Sequence, residues 1–95
     1  MIIARVVGNV WATRKEERLN GLKFLILQPL DWDRSAVGAT LVAADNIGAG
    51  YGELVLVTRG SSARKAVNSQ DIPVDAAVVG IIDNVEVDKA QGEAS

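Results

Sequence analysis

Ile2-Ile3-Ala4-Arg5-Val6-Val7-Gly8-Asn9-Val10-Trp11-Ala12-Thr13 decides how this chain folds. Read as an extended strand, its side chains alternate between two faces. Ile2, Ala4, Val6, Gly8, Val10 and Ala12 form a set able to fill a core. Ile3, Arg5, Val7, Asn9, Trp11 and Thr13 form the other set, and it still carries Ile3, Val7 and Trp11, one every fourth residue. A small all-β domain has one interior, so the second apolar stripe must meet something else, and another copy of the chain is the simplest candidate.

Composition narrows the field. The 95 residues suffice for one domain, assigned to residues 1–87, with 88–95 as a small polar tail. A chain of this size buries roughly two-thirds of its unfolded surface, enough for one modest core. Hydrophobic residues make up 48% and aromatics only 4%, so the core is Val, Ile, Leu and Ala. The net charge of −2 is too small to grip a phosphate backbone. There is no cysteine for a thiolate metal site and no histidine to serve as a base or ligand. The N-terminus lacks the small-residue cleavage site of a signal peptide, and no apolar run approaches membrane-spanning length. The expected compartment is the cytoplasm, with no nucleic acid, membrane, cofactor or metal involved.

Outward from the first strand, Asn20-Gly21 is a hairpin signal, and Arg14-Lys15-Glu16-Glu17-Arg18 reads as its solvated tip. Strands are predicted at 22–30, 38–44, 53–58 and 76–87, with Pro29 marking an end or an edge. Residues 60–67 read as a short helix with a serine as N-cap. Five strands of this length, with one helix between the fourth and fifth, fit a small closed OB-like Greek-key barrel of the all-β class.

Each chemical motif has a plainer reading beside it. Gly48-Ala49-Gly50-Tyr51-Gly52 resembles a phosphate cradle, but it precedes a strand, no lysine follows, and Glu53 would repel a phosphate. A tight loop with positive φ at one or more glycines explains it, as does crowding of several subunits around an axis. Ser61 or Ser62 with Lys65 would be a nucleophile pair only if Lys65 were desolvated; a helix start is simpler. Asp31, Asp33, Asp45, Asp71, Asp75, Asp83, Glu86 and Asp88 are scattered and read as solvated carboxylates, though Asp31 and Asp33 share a side and could hold a hard cation weakly. Trp32 either folds back over one end of the barrel or stands out as an anchor for a partner.

Taken in order, Ala4-Arg5-Val6-Val7-Gly8-Asn9-Val10, Thr13-Arg14-Lys15, Leu19-Asn20-Gly21 with Lys23, Gln28-Pro29-Leu30-Asp31, Ala43-Ala44-Asp45, Gly48 to Glu53, Val55-Leu56-Val57, Gly60-Ser61-Ser62-Ala63-Arg64 and Pro73 to Asp83 resemble the bacterial microcompartment vertex proteins of the ethanolamine-utilisation and carboxysome type. The resemblance runs from residue 2 to about residue 87 and rests on the order of the segments. It implies an OB-like barrel without catalytic residues that closes into a homopentamer. Such rings cap the five-fold vertices of a polyhedral shell and meet hexameric shell proteins there. It also implies that Gly48, Ala49, Gly50 and Gly52 lie toward the ring axis or a subunit junction, and that Ser61, Ser62 and Arg64 help join neighbours. Ile3, Val7 and Trp11 are the interface residues expected from strand alternation, and Trp32 is the candidate contact to the shell. The rival from a different class is an OB-type module for single-stranded nucleic acid, which needs paired aromatics in a basic groove. A second rival is a nucleotide-responsive regulator or enzyme built on the glycine-rich loop.

Overall fold

The computed structural model describes residues 1–11, 21–67 and 74–87. Its elements are β1 (Ile2–Val10), β2 (Lys23–Leu30), β3 (Leu41–Asp45), β4 (Leu54–Arg59), α1 (Ser61–Ala66) and β5 (Ala76–Ile81). The strands close into a barrel in the order β1-β2-β3-β5-β4. Four of the pairings are antiparallel, and β3 runs parallel to β5 through only two residue pairs, Ala44–Ala77 and Asp45–Val78. The expected closed five-stranded barrel, with its helix between β4 and β5, is therefore what the chain forms.

The interior is Ala4, Val6, Leu25, Leu27, Ala43, Val55, Val57, Ala76 and Val78, with Ile2, Leu41 and Ala49 packed against it. No aromatic ring takes part. Burying a valine or leucine contributes about 1.5–3 kcal/mol, so a few such side chains decide whether this domain stays folded. A second cluster lies outside the sheet. Ala63 of α1 sits over Ala44 of β3 and Ala77 of β5, together with Val74 and partly buried Phe24. Alanines at these positions leave room for the helix to lie close to the strands.

Several boundaries differ from the sequence reading. Pairing with β4 sets the end of β5: Val55 pairs with Ile81, Ile82 donates to the Leu54 carbonyl at 2.9 Å, and β4 then offers no further partner. Residues 82–87, expected as strand, are irregular. Pro29 lies inside β2 opposite Ala4, but β2 pairs with β3 only as far as Leu27. Beyond it the following loop takes over as partner, with Val37 N–H donating to the Pro29 carbonyl at 2.9 Å and Leu30 bridging Ala36, so the missing N–H falls at an irregular margin of the sheet. The N-cap of α1 is Gly60 (φ 68°), with no side-chain cap. The chain turns there through a left-handed residue that a serine would strain to adopt, so Ser61 and Ser62 fall inside the helix. The charged hairpin tip and the 88–95 tail lie outside the described residues.

The strand alternation is also broken once. The β1–β2 register shifts between Val6 and Gly8, leaving Val7 as the extra residue of a bulge. Before the bulge, Ile3 and Arg5 face outward; after it, Gly8 opposite Ile26 and Val10 opposite Phe24 do. Trp11 therefore does not share a face with Ile3, contrary to the simple alternation.

Leu27→Ala removes a side chain that is 0% exposed. It is expected to lower unfolding stability by about 2–5 kcal/mol, measured by denaturant titration, whereas Val37→Ala, at 48% exposure, should change it by less than about 1 kcal/mol.

Candidate subunit interface

The outward side chains of the sheet build two apolar groups, separated by the polar pair of Arg5 and Gln28. Leu56, Ile3 and Leu30 line up across β4, β1 and β2, and Ile26 stands beside Val42 across β2 and β3. Ile3, Ile26, Leu30 and Leu56 are half-buried. Val7 and Val42 are 40% and 49% exposed. The helix packs against β5 and β4, with Ala63 clustered beside Ala44 and Ala77, and among the described residues no element lies over this surface. Gly80 opposite Leu56 adds no side chain to it.

The glycine-rich loop is shaped by two carboxylates. Asp45, expected in solvent, is 3% exposed. Its Oδ1 accepts from the backbone N–H of Ile47 at 2.9 Å and of Gly48 at 3.2 Å, and its Oδ2 from Ala49 at 3.0 Å. Glu53 Oε1 accepts from Gly50 N at 2.6 Å. The Gly52 N–H donates to the Val6 carbonyl at 2.9 Å, and Arg5 Nη1 donates to the Gly52 carbonyl at 2.7 Å. The donors that a phosphate would need are thus spent on the chain's own oxygens, which disposes of the nucleotide reading more firmly than the motif did. Sequence reasoning missed Asp45 because a carboxylate followed by Asn and Gly looks like any polar turn. Its position two residues past Ala43, on the inward phase at the end of β3, was the available signal. Ala49, expected at a subunit junction, is turned against the protomer's own core.

The remaining candidates are spread around the barrel. Ser61, Ser62 and Lys65 are all exposed, so no desolvated lysine activates a serine. Arg64 is half-buried and donates to the Val74 carbonyl at 3.3 Å. Trp11 is 91% exposed and borders a concavity with Asn9, Leu25 and Ala49 at one end of the barrel. Trp32 borders a different depression with Val85 and Val87, and Phe24 packs against the cluster under the helix. Aromatics so dispersed give no stacking platform for nucleic acid bases. In the β2–β3 loop, Asp33 Oδ1 accepts from the Ser35 hydroxyl at 2.6 Å and the Ser35 N–H at 2.9 Å. These bonds hold the Asp33 carboxyl below its ordinary pKa, the hydroxyl being the larger cause.

A family model described as "Ethanolamine utilisation protein EutN/carboxysome" matches residues 1–83. The carboxysome shell vertex protein CcmL of Thermosynechococcus vestitus is 54% identical over 88 residues, covering 93% of this chain and 89% of the relative. The solved structure of Gloeobacter violaceus CcmL matches with a TM-score of 0.87 and 49% identity, over 93% of this chain and 91% of that one. The GrpN pentameric microcompartment shell protein from Rhodospirillum rubrum matches with a TM-score of 0.83 and 43% identity, over 93% and 99% of the two chains.

Two expectations test this geometry. Gly52 has φ 85°, so Gly52→Ala should cost about 1–2 kcal/mol, whereas at Gly50 an added Cβ meets only the flexible end of Glu53 at 3.3 Å and should cost less; paired denaturation curves decide. Ser35→Ala should raise the Asp33 pKa toward its ordinary value in an NMR titration. Because the fold favours the charged form, the Ser35 contribution is present above the ordinary pKa and fades as pH falls through the folded one.

Proposed function

Since the chain belongs to the ethanolamine utilisation EutN/carboxysome family, whose named relatives above are structural shell vertex proteins and not enzymes, we propose that it forms a homopentamer capping the five-fold vertices of a bacterial microcompartment shell. The ring sits in the cytoplasm as part of that shell, with hexameric shell proteins as neighbours. The observation that carries this reading is the uncovered apolar surface across β4, β1, β2 and β3. A ring needs a heterologous contact in which one patch meets a different patch on the next copy, and the rotation closes. The apolar surface around Ile3 and Val7 supplies one patch. The flank bearing Ser61, Ser62 and Arg64, with the loop at Gly48, Gly50 and Gly52 and the barrel end at Trp11, supplies the complementary one. Ala49 serves that contact through the shape it gives the loop.

Energetics fix how much of the surface must close. Completing the burial of a half-covered valine, isoleucine or leucine contributes about 1 kcal/mol at about 25 cal/mol per Å², while association costs at least about 4 kcal/mol. Ile3, Val7, Ile26, Leu30, Val42 and Leu56 together meet that cost only when most of them become dry. The seam is thus cooperative: it closes over the whole patch or not at all.

Mass in solution tests the reading. At micromolar concentration and moderate salt, native mass spectrometry or sedimentation should give five times the 10.0 kDa chain mass; a monomer or dimer overturns it. Val7→Asp places an unpaired charge on the seam, a cost of several kcal/mol if buried. It is expected to yield monomers that keep the β circular-dichroism signature, and a ring that survives the change removes Val7 from the seam.

A further inference from the structure

Tyr51 stands 83% exposed at the tip of the glycine-rich loop. Gly50, Tyr51, Gly52 and Glu53 form a β-turn closed by the Glu53 N–H on the Gly50 carbonyl at 3.1 Å. Gly52, at φ 85°, takes the third place, where a type II turn needs a left-handed residue. Tyr51 occupies the second place, at the outer corner. Met1 and Trp11 are at least as exposed, but each ends a described segment, whereas Tyr51 has described chain on both sides.

The turn is braced from both sides. Glu53 Oε1 accepts from Gly50 N at 2.6 Å. The Val6 N–H donates to the Glu53 carbonyl at 3.0 Å, and the Gly52 N–H to the Val6 carbonyl at 2.9 Å. Arg5 Nη1 donates to the Gly52 carbonyl at 2.7 Å. The backbone under the tyrosine is thus fixed before any partner arrives, and the ring itself has only two torsions to settle. The same bonds tie the turn to β1 at Arg5 and Val6, between Ile3 and Val7 of the proposed seam, so the tyrosine rises at the border of that surface. The seam has use for such a group. Its apolar side chains are already partly covered, and their remaining burial only just meets the cost of association. Aromatic side chains bury about 150–250 Å² each, and Tyr51 still has most of its surface to give.

We propose that Tyr51 is the aromatic anchor of the seam, covered by the next copy of this chain when the ring closes. Its ring supplies the burial that the half-covered residues lack, and the braced turn presents it without a further ordering cost. This inference rests on the vertex reading above.

The chain has a single tyrosine, so 3-fluorotyrosine incorporated throughout the protein reports on this site alone. The fluorine resonance is expected to shift between H2O and D2O in chains dissociated by dilution, and to lose most of that shift in the assembled ring. Tyr51→Ala is expected to raise the concentration at which the ring half-dissociates by at least about tenfold, with the β circular-dichroism signature unchanged. Should that variant fail to fold, the fluorine shift alone decides. A solvent shift equal in the ring and in the dissociated chain, or a folded Tyr51→Ala ring as tight as the unaltered one, overturns the anchor and leaves the vertex reading standing. An unaltered chain that forms no ring overturns both.

Discussion

Ala63, at 0% exposure between α1 and the strands, marks the side of the barrel that this chain is able to cover. A helix of six residues packs over β5 and β4, and its cluster takes in Ala44 of β3 and Phe24 of β2. The sheet carries apolar side chains on its outer side beyond that reach, Leu56, Ile3 and Leu30 on one side of the Arg5–Gln28 pair and Ile26 and Val42 on the other. In water this arrangement is costly for a lone copy and becomes favourable when copies share the surface. The proposed ring therefore draws on a shortage of covering structure among the described residues, not on a dedicated binding motif. The loop that most resembles a ligand site has its donors occupied by Asp45 and Glu53.

Much of the fold was legible because it depends on patterns that are local. The strands at 22–30, 53–58 and the start of 76–87 announced themselves as apolar runs between turn residues, and Pro29, expected at an end or an edge, lies one residue before the end of β2. What escaped notice depends on partners distant in sequence. β5 stops at Ile81 because β4 begins at Leu54, which no reading of residues 82–87 reveals. The bulge at Val7 exists in relation to Leu27 and Ile26 on the next strand. A strict alternation over Ile3, Val7 and Trp11 could not anticipate it, and so Trp11 was assigned to the wrong face.

The candidate site was legible in outline only. Ile3 and Val7 were readable as surplus hydrophobics, since they are more than the interior needs. Leu30, Leu56 and Val42 were not singled out, because each looks like an ordinary core residue until the register places it opposite an outward neighbour. Asp45 and Gly60 were misread for a related reason. The role of each is set by backbone geometry (donors converging on a buried carboxylate in one case, a left-handed turn before a helix in the other) that one-dimensional composition does not encode.

The two-residue pairing of β3 with β5 has its own consequence. A barrel is only as tight as its thinnest joint, and here that joint has α1 laid across it like a bolt, with Ala44 and Ala77 as the two plates beneath. Lifting the helix would therefore unzip the cylinder into a flat, open sheet. That ties the shape of the whole barrel to the six residues of one short helix.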